Sequence, residues 1–175
     1  EPDHVHVNQG SKTNATVRAF GANPEDNIDK NDCAEMLELA AQSRLPDRII
    51  PIMSWFAAAP FRKPIFEQTG TFNPLGVFGR SGSGKTATLA ALSQMWGMSN
   101  EPLSVNASKF ATLTGFTSSR GVPVWFDEYR PEKTPDYIMD RWHTYYKKAA
   151  TGGVEPRGNQ NMGTDDWHLR SPIVV

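Results

Sequence analysis

The stretch Leu75-Gly76-Val77-Phe78-Gly79-Arg80-Ser81-Gly82-Ser83-Gly84-Lys85-Thr86 decides how this chain folds. It begins with apolar residues typical of a buried strand and continues through a glycine-rich loop of the pattern G-x-x-x-x-G-K-[ST]. An Ala- and Leu-rich run follows and predicts a helix from about Lys85 to Trp96. The sequence therefore predicts a strand, a loop and a helix in direct succession.

The loop has the composition of a phosphate-binding loop, or Walker A motif. Its glycines let successive backbone N–H groups turn inward around a phosphate, and the positive end of the helix dipole points at the same place. In this motif the lysine, Lys85, reaches the β- and γ-phosphate oxygens, and the hydroxyl of Thr86 binds Mg²⁺. The predicted nucleotide-binding residues are Gly79, Arg80, Ser81, Gly82, Ser83, Gly84, Lys85 and Thr86. A chance glycine-serine turn is the alternative, but the flanking strand and helix supply the context that the motif requires.

A second apolar run, Val122-Pro123-Val124-Trp125-Phe126, ends in the acid pair Asp127-Glu128. Acids at this place form the Walker B pattern, in which the first holds Mg²⁺ through its water shell and the second deprotonates the attacking water. Alone, the pair would equally suit a surface turn. Combined with the loop, it predicts Asp127 and Thr86 as metal ligands and Glu128 and Lys85 as catalytic residues.

The segment between the two motifs has room for one strand and one helix. Residues 102–106 predict the strand, and residues 108–114 predict a helix with Phe110 and Leu113 facing inward. The last residues, 172–175, read as the opening of another buried strand.

The residues before the loop predict a mainly helical preface. Alternation over residues 3–8 predicts a short edge strand, on which a metal site at His4 and His6 would lack further ligands, so a solvated face is favoured. Residues 21–32 predict a polar linker.

Two helices follow the linker. A capping box at Asp32 and Glu35 predicts a helix to Ser43, and apolar spacing predicts a second from Pro46 to Ala59, which Pro51 bends or restarts. Prolines and the run Gln68-Thr69-Gly70 predict a surface connection over residues 60–70.

Beyond the acids, Thr134 and Pro135 predict the N-cap and first residue of a helix that ends near Gly152-Gly153. An apolar stripe of Ile138, Trp142, Tyr145 or Tyr146, and Ala149 leaves Arg141, Lys147 and Lys148 toward solvent. Residues 151–170 then predict a long polar loop that contains Arg157. Basic residues among aromatics are typical of single-stranded nucleic-acid contacts, which predicts Arg141, Lys147, Lys148 and Arg157 for that role. Buried aromatics beneath a merely solvated charged face are the alternative.

The composition is that of an ordinary globular domain, with 175 residues, 38% hydrophobic and 21% charged. A net charge of −1 means that any nucleic-acid contact must come from a local basic cluster. A single cysteine and no apolar run of about 18 residues favour a reducing, cytoplasmic location. Both ends read as cut, so we expect a fragment of a longer polypeptide.

With the two motifs in place, the chain resembles the additional-strand, catalytic-glutamate class of P-loop ATPases, which includes AAA+ proteins, RecA-like motors and superfamily-3 helicases. The resemblance covers about residues 72–175. The local sequence around the motifs is also similar to that of ATPase domains of primase-helicase proteins from phages, plasmids and integrated elements. The similar segments are Ser108-Lys109-Phe110, Asp127-Glu128-Tyr129-Arg130-Pro131 and Arg157-Gly158. Ser83 stands where superfamily-3 loops usually carry Asn.

The resemblance implies an α/β fold, a three-layer P-loop NTPase sandwich with a parallel sheet in the order 5-1-4-3-2. It divides the chain into a strand and helical preface, residues 1–70, and an ATPase core, residues 71–175, truncated at its C-terminal strand. The sensor residue of the family would lie past Val175, and its subunit-crossing arginine would be Arg120, Arg130 or Arg157.

The implied cofactors are ATP and Mg²⁺, and the implied activity is ATP hydrolysis that powers a DNA helicase or translocase in mobile-element replication. The implied partners are single-stranded DNA, further copies in a ring such as a hexamer, and missing domains of the same polypeptide. A protein-remodelling or regulatory ATPase without nucleic-acid contact is the alternative. A small-molecule kinase ranks third, because a kinase has less need of Glu128 as a water base.

Overall fold

The computed structural model describes residues 30–95, 102–158 and 163–175. Their helices and strands are α1 Lys30–Gln42, α2 Pro46–Ala58, α3 Arg62–Thr69, α4 Lys85–Met95, β1 Leu103–Ser104, α5 Lys109–Thr117, β2 Val124–Asp127, α6 Asp136–Thr151, β3 Val154–Gly158, β4 Thr164–His168 and β5 Ile173–Val174. None of the described helices is long and apolar enough to span a bilayer. The predicted edge strand with His4 and His6 lies outside the described residues, as does Trp96 at the predicted end of α4.

The helices α1, α2 and α4 are confirmed close to their predicted bounds. Helix α1 begins at Lys30, so the predicted linker does not extend to Asp32. Helix α2 continues through Pro51 without a second start.

A small parallel sheet forms the centre of the fold. Strand β2 pairs with β1 on one side and with β5 on the other. Residues 75–77 run parallel to β5 on its free side: the Leu75 N–H donates to the Ile173 carbonyl at 2.8 Å, and the Val77 N–H donates to the Val175 carbonyl at 2.7 Å. The spatial order is therefore residues 75–77, β5, β2 and β1, and the predicted strand at Leu75 is reduced to a short extended segment.

Side chains of the sheet alternate between two apolar clusters. Val124 and Phe126 of β2 join residues of α5 and α6, whereas Trp125 between them joins residues of α2 and α4. Ile173 and Val174 of β5 divide in the same way. Helices therefore cover both faces of the sheet, which is why its short strands read as continuous apolar runs.

Aromatic rings fill the larger cluster. The ring centroid of Phe116 lies 5.2 Å from that of Phe126 and 5.9 Å from those of Trp142 and Tyr145. All four side chains are at most 2% exposed. Tilted and edge-on pairs at these distances add to the free energy that burial of the rings contributes.

Helix α6 differs from its prediction at its start. Pro135, and not Thr134, is the N-cap residue, and Met139 is buried where Ile138 was expected. The helix ends as predicted at Gly152, whose φ of 69° terminates it in the left-handed region.

The predicted surface connection over residues 60–70 is wrong. A 3-10 turn, Ala59–Phe61, and helix α3 occupy it. Pro60 and Pro64 lie in first turns, where the missing N–H has no intrahelical acceptor to lose. Arg62 is buried and its Nη2 donates to the Ala149 carbonyl at 2.7 Å, so α3 is anchored to the end of α6.

The predicted loop over residues 151–170 is also wrong. Strands β3 and β4 pair antiparallel over 5 residues each and form a hairpin. The Lys148 ammonium on α6 lies 2.7 Å from a carboxylate oxygen of Glu155 on β3, and Trp167 of β4 packs against the larger apolar cluster. The hairpin is therefore fastened to α6 and to the core.

Helix α5 continues to Thr117, beyond its predicted end. Leu113 is buried as predicted, but Phe110 is 48% exposed and the prediction that it faces inward is wrong. Its ring meets Trp167 edge-on, with the two ring centroids 6.0 Å apart.

Candidate functional site

The glycine-rich loop lies at the edge of the sheet where the parallel strands have their carboxyl ends. Gly82 and Gly84 have φ values of 75° and 78°, a region that a side chain would strain. The Ser83 N–H donates to the Arg80 carbonyl at 3.2 Å and closes a turn. Helix α4 begins at Lys85, so its amino end opens onto this loop and presents free N–H groups and a positive dipole there.

The Lys85 ammonium is folded back onto the loop. Its Nζ donates to the Gly79 carbonyl at 2.7 Å and to the Arg80 carbonyl at 3.0 Å. These bonds hold a positive charge inside the curve of the loop, and phosphate oxygens could replace the carbonyl oxygens as acceptors.

The two predicted metal ligands are in contact. The Thr86 Oγ1 lies 3.5 Å from the Asp127 Oδ2, although 41 positions separate the residues in sequence. Within residues 30–95, 102–158 and 163–175, no group of three or more His, Cys, Asp or Glu side chains is placed to hold a metal ion. One hydroxyl and one carboxylate nevertheless suit Mg²⁺, which keeps several waters and takes further oxygen ligands from bound phosphates.

Glu128 has a strained backbone. Its φ of 65° lies in the left-handed region, and its N–H donates to the Asp127 Oδ1 at 2.7 Å. The bond orients the Asp127 carboxylate, whose other oxygen meets Thr86. Strain of this kind concentrates at functional sites, where the surrounding structure maintains it.

The strain at Glu128 gives a stability prediction. The free energy of unfolding of Glu128→Gly should be about 0.5–1 kcal/mol higher than that of Glu128→Ala. The left-handed backbone conformation costs a residue with a Cβ about 1–2 kcal/mol, which exceeds the entropic cost of glycine. Urea unfolding of both variants measures the difference. A Gly variant less stable than the Ala variant would show that position 128 is not held at positive φ.

A cavity of about 750 Å³ joins the loop to the acid pair, a size within the range of small-molecule sites. All the predicted loop residues except Arg80 line it, together with Asp127 and Glu128. The sequence did not predict four further lining residues: Phe78, which precedes the loop, and Tyr129, Glu132 and Lys133, which follow the acid pair. Arg130, considered above as a subunit-crossing arginine, lines this cavity of its own chain.

A neighbouring cavity of about 880 Å³ lies between α2 and the loop. Its apolar lining includes Ile49, Ile52 and Val77, and Arg80 faces this side. Arg44 is its notable polar residue, because its Nη2 donates to the Gly84 carbonyl at 3.3 Å and its guanidinium covers the Cα of that glycine. No local pattern in the sequence indicated this contact.

The four basic residues predicted for nucleic acid do not form one open face. Lys147 is exposed. Arg141 is half-buried and donates to the Ala107 carbonyl at 3.3 Å, and Lys148 donates to Glu155, so the prediction that both face solvent is wrong. Burial and the Glu155 carboxylate also raise the pKa of Tyr145 beneath this ion pair.

Arg157 lies on the hairpin against two aromatic rings. Its guanidinium carbon is 4.9 Å from the ring centroid of Phe110 and 5.9 Å from that of Trp167. Such contacts stabilise a cation by about 0.5–2 kcal/mol. Arg157 is therefore held within the chain by the two rings, near the end of the hairpin where Gly158 pairs with Thr164.

The residues at the carboxyl edge thus combine an ammonium group, free backbone donors, a hydroxyl and two carboxylates around one cavity. This set can bind a polyphosphate with a divalent cation and place a carboxylate base beside it. No protein-family model, curated protein or solved structure matches this chain.

Proposed function

We propose that this chain binds ATP at the loop cavity and hydrolyses it with Mg²⁺. The observation that carries the proposal is the contact between Thr86 and Asp127, which joins the glycine-rich loop to the acid pair. A loop that matched the motif by chance would have no reason to meet the acid at the end of β2, which follows α4, β1 and α5 in the chain.

The sheet supports the finer assignment to the P-loop fold. Residues 75–77, β5, β2 and β1 lie side by side. If these are numbered as strands 1, 4, 3 and 2, their order agrees with four of the five positions in 5-1-4-3-2. The helices on both faces agree with a three-layer arrangement.

In the proposed reaction the loop N–H groups and Lys85 hold the β- and γ-phosphates, and the base of the nucleotide enters the apolar cavity beside α2. Thr86 and Asp127 would hold Mg²⁺, which supplies positive charge to the phosphate oxygens. Glu128 takes a proton from a water that attacks the γ-phosphorus, and Arg130 and Lys133 lie where they can offset the charge of the leaving diphosphate.

A titration with a fluorescent ATP analogue, with and without Mg²⁺, tests the proposal. We expect binding that Mg²⁺ strengthens and that ATP and ADP compete away, whereas AMP competes poorly because it lacks the phosphates that the loop holds. Equal competition by AMP, or no binding at all, would remove the basis for an ATPase.

We further infer that hydrolysis powers movement on single-stranded nucleic acid, with protein remodelling as the second candidate. The aromatic rings of Phe110 and Trp167 support the first, because such rings can stack with bases. The engagement of Arg141 and Lys148 within the chain favours the second. Stimulation of ATP hydrolysis by single-stranded DNA would favour the motor, and its absence would favour remodelling.

The two neighbouring lysines of α6 give a sharper test of nucleic-acid contact. Lys147→Ala should reduce the slope of log K against log salt by about 0.7, the value for one single-strand phosphate contact. Lys148→Ala, the matched control, should leave the slope nearly unchanged because that ammonium is engaged by Glu155. Fluorescence anisotropy with a labelled oligonucleotide measures both slopes, and equal slopes for wild type and Lys147→Ala would exclude Lys147 from the contact.

A further inference from the structure

A small cavity away from the candidate nucleotide site is lined by arginines. Its volume is about 210 Å³, and its lining includes Arg62, Arg120 and Arg170 together with Glu67. We call this cavity the arginine pocket. Arg120 precedes β2 and Arg170 precedes β5, so they lie near the amino ends of these strands. The glycine-rich loop and the acid pair lie at the carboxyl ends.

The lining of the arginine pocket carries more positive than negative charge, with Arg62, Lys63, Arg120 and Arg170 against Glu67. Among the described residues, none of its three guanidinium groups forms an ion pair with a carboxylate. Burial and the charge of Arg170 lower the pKa of Arg62 to about 10, and burial and the charge of Arg120 lower the pKa of Arg170. Arg170 therefore repels both Arg62 and Arg120, and the burial of Arg62 and Arg170 reduces the screening of this repulsion by water.

Arg62 is partly explained by the fold. It is 5% exposed, and its bond to the Ala149 carbonyl supplies a positive partner to the last turn of α6. Its Nε, however, is buried with no hydrogen-bond partner in the described part of the chain. The capping role also gives no reason for Arg120 and Arg170 to gather beside an existing buried charge.

We propose that the arginine pocket binds a phosphate group. Guanidinium groups present forked N–H donors that match phosphate oxygens in pairs, and a phosphate dianion would offset the repulsion among the three cations. The neighbouring cavity of about 330 Å³, which Arg120 and Arg170 also line, leaves room for the remainder of a phosphorylated molecule. This site does not depend on the proposed function of the glycine-rich loop.

All proteins in the test carry Lys85→Ala, so that the proposed nucleotide site contributes little to phosphate binding. A failure of the proposed nucleotide function therefore cannot be mistaken for a failure of the arginine pocket. Inorganic pyrophosphate is titrated by calorimetry, and a single-stranded oligothymidylate is titrated by fluorescence anisotropy. Arg120→Gln and Arg170→Gln are compared with Lys109→Gln, which removes one charge from an exposed lysine on α5.

We expect each arginine variant to weaken binding of at least one ligand about tenfold or more, since a charge-assisted hydrogen bond of this kind contributes about that factor. Lys109→Gln should have no comparable effect. Pyrophosphate binding that needs the arginines assigns the pocket to a small phosphorylated molecule, and oligonucleotide binding alone assigns it to a polynucleotide phosphate. Failure of both ligands to bind, or equal affinity in all variants, overturns the proposal. If circular dichroism shows that Arg170→Gln is unfolded, the exposed Arg120 decides the outcome alone.

Discussion

Glu128→Gln is expected to lower the single-turnover rate of ATP hydrolysis by about 10²–10⁴, which corresponds to about 2.7–5.5 kcal/mol of activation free energy. The amide keeps the size and backbone conformation of the side chain but cannot accept a proton from water. Affinity for MgATP should stay nearly unchanged, because in the proposed site Lys85, Thr86 and Asp127 hold the bound substrate. Rapid-quench measurement with protein in excess of ATP separates the chemical step from product release.

Glu132→Gln is the matched control for this prediction. Glu132 is also exposed and lines the same cavity, but it lies on the 3-10 turn after the acid pair. Its replacement should leave the rate within a few-fold of wild type. If Glu132→Gln is the slow variant and Glu128→Gln hydrolyses normally, then Glu132 is the base and the assignment of Glu128 is wrong.

The candidate site could be predicted largely from sequence because each of its parts is local. The spacing of glycines around Lys85 and the position of Asp127 after an apolar run carry their own structural context. Residues that reach the site from other segments could not be predicted in this way. Arg44 bonds to Gly84 across 40 positions, and no pattern around either residue shows that pairing.

The hairpin is a part of the fold that local sequence patterns predicted wrongly. The polar composition of residues 151–170 predicted a loop, yet the ion pair of Lys148 with Glu155 and the packing of Trp167 fix two antiparallel strands there. Phe110 on α5 meets Trp167 of these strands at its ring edge and stays exposed, although helical spacing predicted that it faces inward. Long-range contacts decided all of these positions, and helical or strand periodicity contains no information about them.

Lys85→Ala is expected to weaken MgATP binding about 10- to 100-fold, because charge-assisted hydrogen bonds to the phosphates are lost, each contributing about 1.5–3 kcal/mol. The unliganded fold should change little, since the bonds of this ammonium to the described residues go to the Gly79 and Arg80 carbonyls of its own loop. A fluorescent ATP analogue measures affinity, and thermal unfolding measures stability. Lys109→Ala removes a lysine at the same position of a helix, the first residue of α5, and should bind like wild type.

Thr86→Ala separates the role of the charge from that of the metal. The Thr86 hydroxyl faces Asp127 and not the Lys85 ammonium. Its loss should therefore leave metal-free ATP binding intact and remove most of the gain in affinity that Mg²⁺ gives. Lys85→Ala should instead weaken binding with and without Mg²⁺ by a similar factor, because in the proposed site the ammonium contacts phosphate oxygens directly. Unchanged affinity in a folded Lys85→Ala protein would mean that the loop does not hold phosphates, and the contact between Thr86 and Asp127 would then need another explanation.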